Sequence, residues 1–453
     1  MDGQRLIKYV VKKLSPHFLL EIYWKKNREV GTKTRFFDDV SRRSSPEVYG
    51  SEPPSGHSNL LWLERKYNTV VICWLPVWII GHCCTVYHYA YQRMLKEKSK
   101  ETCYLIVPNT RKLAVGQQLP NKYLYRKFTE QMPAAINPKI AWHDYIQKYP
   151  QRLLLLDTEE TDAFYFRAAK SYFQGMWGEL LIPFDRPSVM FSQQEIDDGQ
   201  QVMRELGIEK NFICIFARDS AYHSETEADP NFARNFDIDN FKQLAMKFYE
   251  SHDMQAVRMG ARVNKELSCK GVVDYASLGR TEFMDVFLFS RTEFYIGNSS
   301  GIECIARLFS KPIVAVDFPC VLPIDEPTMP YHLLIYAKWY SEEKQRCLTL
   351  RELIHIQVEL KIQNMEKHGL DAFLEYATDH LNIIHNSPQE ILDVAEEMYD
   401  ILHGTVQYTC DDELRQKMYR DIIHSETKQF NNITGVFGRV GTKWLRENIW
   451  FLE

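Results

Sequence analysis

The run Tyr295-Ile296-Gly297-Asn298-Ser299-Ser300-Gly301-Ile302-Glu303-Cys304-Ile305-Ala306 constrains the fold of this 453-residue chain more than any other stretch. An apolar segment stops at Gly-Asn-Ser-Ser-Gly and a helical pattern starts at once. That predicts a strand, a tight loop of small residues and a helix N-terminus. The next apolar strand follows Lys311-Pro312, at Ile313-Val314-Ala315-Val316-Asp317. The unit reads as a βαβ crossover of nucleotide-binding type. Free backbone N–H groups and the positive end of the helix dipole point into such a loop, which suits a phosphate.

The rest of the chain supplies partners for this unit. Residues 68–190 read as a first α/β region: a strand at Thr69–Leu75, a loop at Gly81-His82 leading into a helical stretch, then strands at Cys103–Val107 and Leu153–Leu156. Residues 191–385 read as a second. It opens with the capping pattern Ser192-Gln193-Gln194-Glu195 and a helix running to Gly207. Strands follow at Phe212–Phe216, Gln255–Arg258 and Phe294–Ile296. Between the first two, Phe241, Leu244, Ala245 and Phe248 form one helix face. Strands alternating with helices imply parallel sheets with crossovers. Ser387-Pro388-Gln389-Glu390 starts a helix ending near Gly404, within a helical extension over 386–453. Residues 1–67 read as an arm and linker.

Composition bounds the alternatives. Net charge is −5, so nothing global points to nucleic acid. Residues 1–35 carry nine Lys/Arg against three Asp/Glu, leaving the remainder acidic. Apolar residues recur at helical spacing there, so residues 5–28 suit either peripheral docking on a membrane or packing on the protein's own core. The longest apolar run, Val70 to Gly81, is broken by Pro76 and is too short for a transmembrane helix. None of the ten cysteines forms a CxxC pair, and Cys73, Cys103, Cys214, Cys304 and Cys320 sit in apolar runs, which reads as buried reduced thiols. No signal peptide is visible, and a cytoplasmic protein is the expectation, with the inner membrane face as its alternative setting.

Four groups of residues could carry chemistry. Arg218 and Asp219 follow the Phe212–Phe216 strand directly, where ligands of open α/β sheets bind. An Arg there can grip a diphosphate with its planar fork, the bland alternative being a surface ion pair. Arg258, Gly260 and Arg262 follow the next strand and offer one or two cations, or are solvated arginines. In the opening loop, Asn298, Ser299, Ser300 and Gly301 would hold phosphate or ribose, and Glu303 would accept from ribose hydroxyls or merely complement the helix dipole. His82 could act as general base on an acceptor hydroxyl, or simply cap or pack. Asp237-Ile238-Asp239 has the letters of a metal-binding DxD motif, but it precedes an amphipathic helix and reads as a cap, so no metal and no cofactor are expected.

These stretches together resemble a bacterial family classed as glycosyltransferases. The resemblance rests on "RELGI…FICIFARDSAY" (204–222), "RNFDIDNF" (234–241), "VRMG" (257–260), "YIGNSSGIECIARLFSKPIVAVDF" (295–318), "LTLREL" (348–353) and the Gly81-His82 pair, and covers about residues 68–355. It implies a GT-B-like α/β architecture. Two Rossmann-like domains would face across a cleft, an acceptor-binding N-terminal half and a donor-binding C-terminal half. More distantly, the chain is similar to fucosyltransferases, with Arg218 in their motif's Arg place and Phe216 where they carry His, and to heptosyltransferases. The implied activity is metal-independent transfer of a sugar from a nucleotide-diphosphate donor to a glycan or lipid-linked hydroxyl acceptor, as in polysaccharide biosynthesis. Arg218, helped by Arg258 or Lys338, would supply the cationic charge. The rivals are a sugar-nucleotide 2-epimerase or hydrolase on the same fold, and a non-catalytic membrane-docked assembly subunit. Donor sugar, base, acceptor and stereochemistry have no motif here.

Overall fold

The computed structural model describes residues 69–76, 79–97, 102–109, 120–132, 153–156, 170–171, 187–221, 233–321, 332–363, 369–427 and 438–453. The basic arm with its amphipathic stretch 5–28 and the linker lie outside them.

The first unit is a four-stranded parallel sheet ordered β2-β1-β3-β4, built from β1 (Thr69–Pro76), β2 (Thr102–Asn109), β3 (Leu153–Leu156) and β4 (Lys170–Ser171). Helices α1 (Ile80–Glu97) and α2 (Lys122–Gln131) belong to it. Asn121 caps α2, its side chain accepting from the Leu124 amide.

Helix α3 (Gln193–Glu205) leads into the second unit, and its capping box of Ser192 and Glu195 forms as the sequence predicts. The elements that follow are β5 (Phe212–Phe216), α4 (Lys242–Ser251), β6 (Gln255–Arg258), β7 (Val272–Val273) and α5 (Glu282–Arg291). Then come β8 (Tyr295–Asn298), α6 (Glu303–Leu308), β9 (Ile313–Phe318) and β10 (Leu333–Tyr336). A short antiparallel sheet holds β11 (Lys338–Ser341), β12 (Arg346–Cys347) and β13 (Asn382–Ile384), with helices α7 (Leu350–Gln363) and α8 (Gly369–His380) between the last two. Helix α9 (Pro388–His403) has a capping box at Ser387 and Glu390 and ends at Gly404, whose φ of +70° is the left-handed conformation that glycine adopts without strain. Helix α10 (Cys410–Thr427), β14 (Arg439–Val440) and α11 (Thr442–Glu447) complete the chain.

The second sheet has seven strands in the order β14-β10-β9-β8-β5-β6-β7, and every described pairing in it is parallel. Its order has a consequence for function. From β5 the chain steps outward through β6 to β7. It then returns to the other side of β5 as β8 and steps outward again through β9 and β10. The winding therefore reverses between β5 and β8. The loops leaving these two strands diverge to opposite faces and open a crevice at their carboxyl ends. Phe241, Leu244, Ala245 and Phe248 are buried, as their helical spacing predicts.

The two units are joined by packing. One apolar cluster draws Val71, Tyr87 and Phe128 from the first and Phe212, Phe287 and Ile305 from the second. Two glutamates fasten the edge of this contact. Glu282 accepts from the amides of Lys122 and Tyr123 at 2.8 and 3.1 Å. Glu195 accepts from Tyr123 Oη at 2.8 Å and pairs with Lys127 Nζ at 3.0 Å. The result is a GT-B-like layout of two parallel α/β units, with the C-terminal helices laid on the second. Among the described residues no helix is long and apolar enough to cross a membrane.

Candidate active site

Asn298, the last residue of β8, organises the crevice. Its side chain is buried, accepts from the Arg218 amide at 2.7 Å and donates to the Arg234 carbonyl at 2.6 Å. It thereby ties the carboxyl end of β5 to β8 and both to the segment before Ile238. Arg218 itself is buried at the end of β5, and its Nη1 donates to Asn235 Oδ1 at 2.9 Å. Arg234 Nη2 donates to the Ser299 carbonyl at 3.0 Å. The Arg234 guanidinium is thus bound to the small-residue turn itself, while the Arg218 guanidinium is held beside it by the neighbouring Asn235. Arg234 and Asn235 are missed by the sequence reading: they lie in the "RNFDIDNF" stretch, but no strand end or glycine marks them.

The loop after β8 is tighter than a plain helix start. The amides of Glu303, Cys304 and Ile305 donate to the carbonyls of Ser300, Gly301 and Ile302 at 3.4, 3.3 and 3.0 Å. Those three N–H groups are therefore spent within the turn. The amides of Ser299, Ser300 and Gly301 have no partner among the described residues, and the serines are half-buried. The phosphate-binding capacity expected of the helix N-terminus rests on these earlier amides.

Several expectations are corrected by the geometry. His82 is not in a loop: α1 starts at Ile80, so His82 is in its first turn and half-buried. Nor is the neighbouring Gly81 separated by a gap from the loop after β8. A Cβ on Gly81 would lie 2.8 Å from Gly301 Cα, so the two backbones touch. A side chain at Gly81 would force backbone to shift, and one at Gly301 would press on Gly81 N at 3.0 Å.

Arg258 is 1% exposed, and its Nη1 donates to the Lys265 carbonyl at 2.6 Å and meets Asp274 Oδ2 at 3.3 Å. It braces the 259–274 segment from inside and is not placed to reach a phosphate. Arg262, four residues on, is the exposed cation of that pair. Gly260, buried with φ +154°, lets the same segment turn back over Phe216.

Glu303 is likewise 1% exposed and pairs with Arg307 at 3.1 Å, one turn along α6. Burial removes it from reach of a ribose. Asp219 does not act alone at the strand end: Oδ1 accepts from the Ala221 amide and Oδ2 from the Asn264 amide, each at 2.9 Å, so it clasps two loops together. Lys338 lies in the antiparallel sheet and pairs with Glu390 of the α9 capping box at 2.6 Å, which commits its charge there. Asp237 caps the turn at Ile238–Phe241, and Lys265 bridges Asp237 and Asp239 at 2.5 and 3.0 Å. The capping account of that DxD sequence thus has a direct counterpart in the structure.

A buried Ser–His contact near the interface between the units invites a catalytic reading that its burial opposes. His88 Nδ1 lies 2.7 Å from Ser188 Oγ, which also accepts from Gln92 Nε2 at 2.9 Å, and Ser188 is fully buried. Burial, with the charge of Arg307 second, pushes the His88 imidazole down to about 3. A neutral, enclosed imidazole beside an enclosed hydroxyl is a packing contact.

No protein-family model matches the chain, and no curated protein matches it. Solved structures do. A glycosyl transferase family 9 protein from Veillonella parvula is similar at 12% identity, over 74% of this chain and 97% of that one, with a TM-score of 0.42. The ADP-heptose lipopolysaccharide heptosyltransferase II of E. coli is similar at 13% identity, over 68% and 98%, with a TM-score of 0.32. A UDP-N-acetylglucosamine 2-epimerase is similar at 11% identity, over 76% and 98%, with a TM-score of 0.26. At these scores the likeness is loose, and the geometry of the crevice carries the reading that follows.

Proposed function

We propose that the chain is a glycosyltransferase that takes a sugar from a nucleotide-diphosphate donor to a hydroxyl acceptor, with the diphosphate held in the crevice between β5 and β8. One observation carries this: the winding of the seven-stranded sheet reverses between β5 and β8, and the loops leaving those strands present Arg218, Arg234 and the amides of Ser299–Gly301 together. Transfer breaks the bond between the sugar's anomeric carbon and the diphosphate oxygen. The electron pair stays on that oxygen, so negative charge grows there. Guanidinium groups and amides already fixed in place stabilise this charge without reorganising. The new bond forms from the acceptor hydroxyl oxygen, whose proton passes to a base. His82 remains our proposed base, carried by the unit expected to hold the acceptor. The donor is a substrate, and the reading needs no resident metal or cofactor.

The test has two stages. Thermal unfolding with UDP, GDP, CMP, ADP and dTDP should show stabilisation by the matching nucleotide through mass action. Product analysis with the matched sugar nucleotide then separates the activities. Transfer that requires an added acceptor supports the proposal. Epimerised sugar from donor alone would replace it with a 2-epimerase, and absence of binding by every nucleotide would remove it.

A further inference from the structure

The carboxyl edge of the seven-stranded sheet carries one more polar pair, which no step above uses. Asp317 lies near the end of β9, one residue past Val316, which pairs with Asn298 of β8. Its φ of +53° puts it in the left-handed region, where a residue with a side chain stays only if its surroundings hold it. They do. The Asp317 amide donates to Asn386 Oδ1 at 2.6 Å, the Asn386 amide returns a bond to Asp317 Oδ1 at 3.0 Å, and Asn386 Nδ2 donates to the Tyr336 carbonyl at 2.9 Å.

The other carboxylate oxygen, Oδ2, receives His385 Nδ1 at 2.7 Å. A carboxylate oxygen can only accept, so Nδ1 carries a proton and Nε2 is the atom left for other work. The carboxylate is 1% exposed, whereas the imidazole keeps 39% of its surface in solvent. No described residue hydrogen-bonds Nε2. Asn386 already fixes the strand end with three bonds, so the histidine contact is not needed for that. Its effect is to aim a half-exposed ring.

The ring packs beside the segment that lines the crevice. His385 stands edge-on to Phe236, centroids 5.6 Å apart. The Phe236 amide donates to the Arg218 carbonyl at 2.8 Å, and the two residues before it hold the Arg218 guanidinium and the Ser299 carbonyl. A three-residue segment, Arg234 to Phe236, therefore links His385 to Arg218 and to the Ser299–Gly301 turn. Burial alone would lower the imidazole's proton affinity. The neighbouring Asp317 carboxylate outweighs it, so the group sits above the ordinary histidine range.

We propose that His385, oriented by Asp317, is a further phosphate ligand of this edge: its protonated Nε2 donates to a diphosphate oxygen alongside the Ser299–Gly301 amides. The inference rests on the reading above that the edge binds a nucleoside diphosphate. No bond is made or broken at the imidazole, which stabilises charge arriving on the leaving oxygen.

Isothermal titration of the full chain with ADP, UDP, GDP, CDP, dTDP and inorganic pyrophosphate tests it, using wild type, His385→Gln, Asp317→Asn and Arg218→Ala. Unfolding midpoints are measured in parallel. His385→Gln should weaken the bound nucleoside diphosphate and pyrophosphate alike, roughly tenfold, the scale of one charge-assisted hydrogen bond. Asp317→Asn should weaken both roughly threefold, because it keeps the Asn386 bonds and loses only the charge that orients and protonates the ring. If His385→Gln lowers the unfolding midpoint, Asp317→Asn decides by the same criterion. Wild-type affinity in both histidine-pair variants, with loss in Arg218→Ala, overturns this inference and leaves the diphosphate site standing. No binding by wild type overturns both.

Discussion

Replacing Asn298 by alanine should do more damage than any other single truncation at the crevice. The side chain is 1% exposed and makes two bonds to backbone groups of other segments, at 2.7 Å from the Arg218 amide and 2.6 Å to the Arg234 carbonyl. Alanine leaves both groups bare inside the protein. A buried backbone group stripped of its partner costs about 1–3 kcal/mol, so the pair gives about 2–6 kcal/mol. At about 2–4 °C per kcal/mol for a unit of this size, the unfolding midpoint should fall by about 4–24 °C. Calorimetry of the purified chain reads this directly. Asn264→Ala is the control: that side chain is exposed and donates only to Ser220 Oγ at 3.0 Å, so its cost should stay within about 0.5 kcal/mol. Asn298→Asp should be as damaging at neutral pH. It keeps the acceptor for Arg218 but turns lone pairs and a buried charge toward the Arg234 carbonyl. If Asn298→Ala unfolds within about 0.5 kcal/mol of wild type, Asn298 does not tie the strand ends together, and the reasoning fails.

Other outcomes follow from the same geometry. Gly81→Ala puts a Cβ 2.8 Å from Gly301 Cα, where backbone must yield on both sides, and should cost about 1–3 kcal/mol in denaturant unfolding; full stability would refute the contact. Arg218→Ala should lower turnover about 10²–10³-fold in an assay with the matched donor, the scale of losing one stabilising group, and near-normal turnover would sink its role. Burial favours the neutral form of Glu195, but the Ser192 amide, the Tyr123 hydroxyl and Lys127 outweigh it and bring the carboxyl down to about 2. A depressed carboxyl stabilises the fold above its ordinary range near 4.5, and that contribution is lost as pH falls toward 2. The difference in unfolding midpoint between wild type and Glu195→Gln should therefore be full at pH 7 and shrink across that interval. A difference unchanged down to pH 2.5 would contradict the assignment.

The fold was readable where a local rule is strong. Phe212–Phe216 is a strand with the predicted bounds, because a short apolar run flanked by polar turns leaves little choice, and Gln255–Arg258 is a strand with the predicted bounds as well. The capping boxes at Ser192 and Ser387 start helices as predicted, because the two reciprocal bonds are specified by residues three apart. The start of α1 was not readable. Gly81-His82 looks like a loop by composition, yet helix begins at Ile80, where close packing against α6 favours it.

At the site, the sequence locates strand ends but not the direction in which a side chain leaves them. Arg218 and Arg258 both end strands of the same sheet. One is held by Asn235 at the β5–β8 reversal, while the other turns inward to Asp274. Glu303 has the spacing of a ribose ligand and the burial of a core residue, and burial is a tertiary fact. Asp317 carried a usable signal, being a polar residue near the end of an apolar strand. His385, 68 residues further on, carried none, because only the fold brings it to that carboxylate.

A crystal structure of the chain with its matched nucleoside diphosphate would locate the phosphates. The prediction is phosphate oxygens within hydrogen-bond distance of the Ser299–Gly301 amides, with the Arg218 guanidinium on the same phosphates. A nucleotide bound elsewhere, with that turn and Arg218 both untouched, would contradict it.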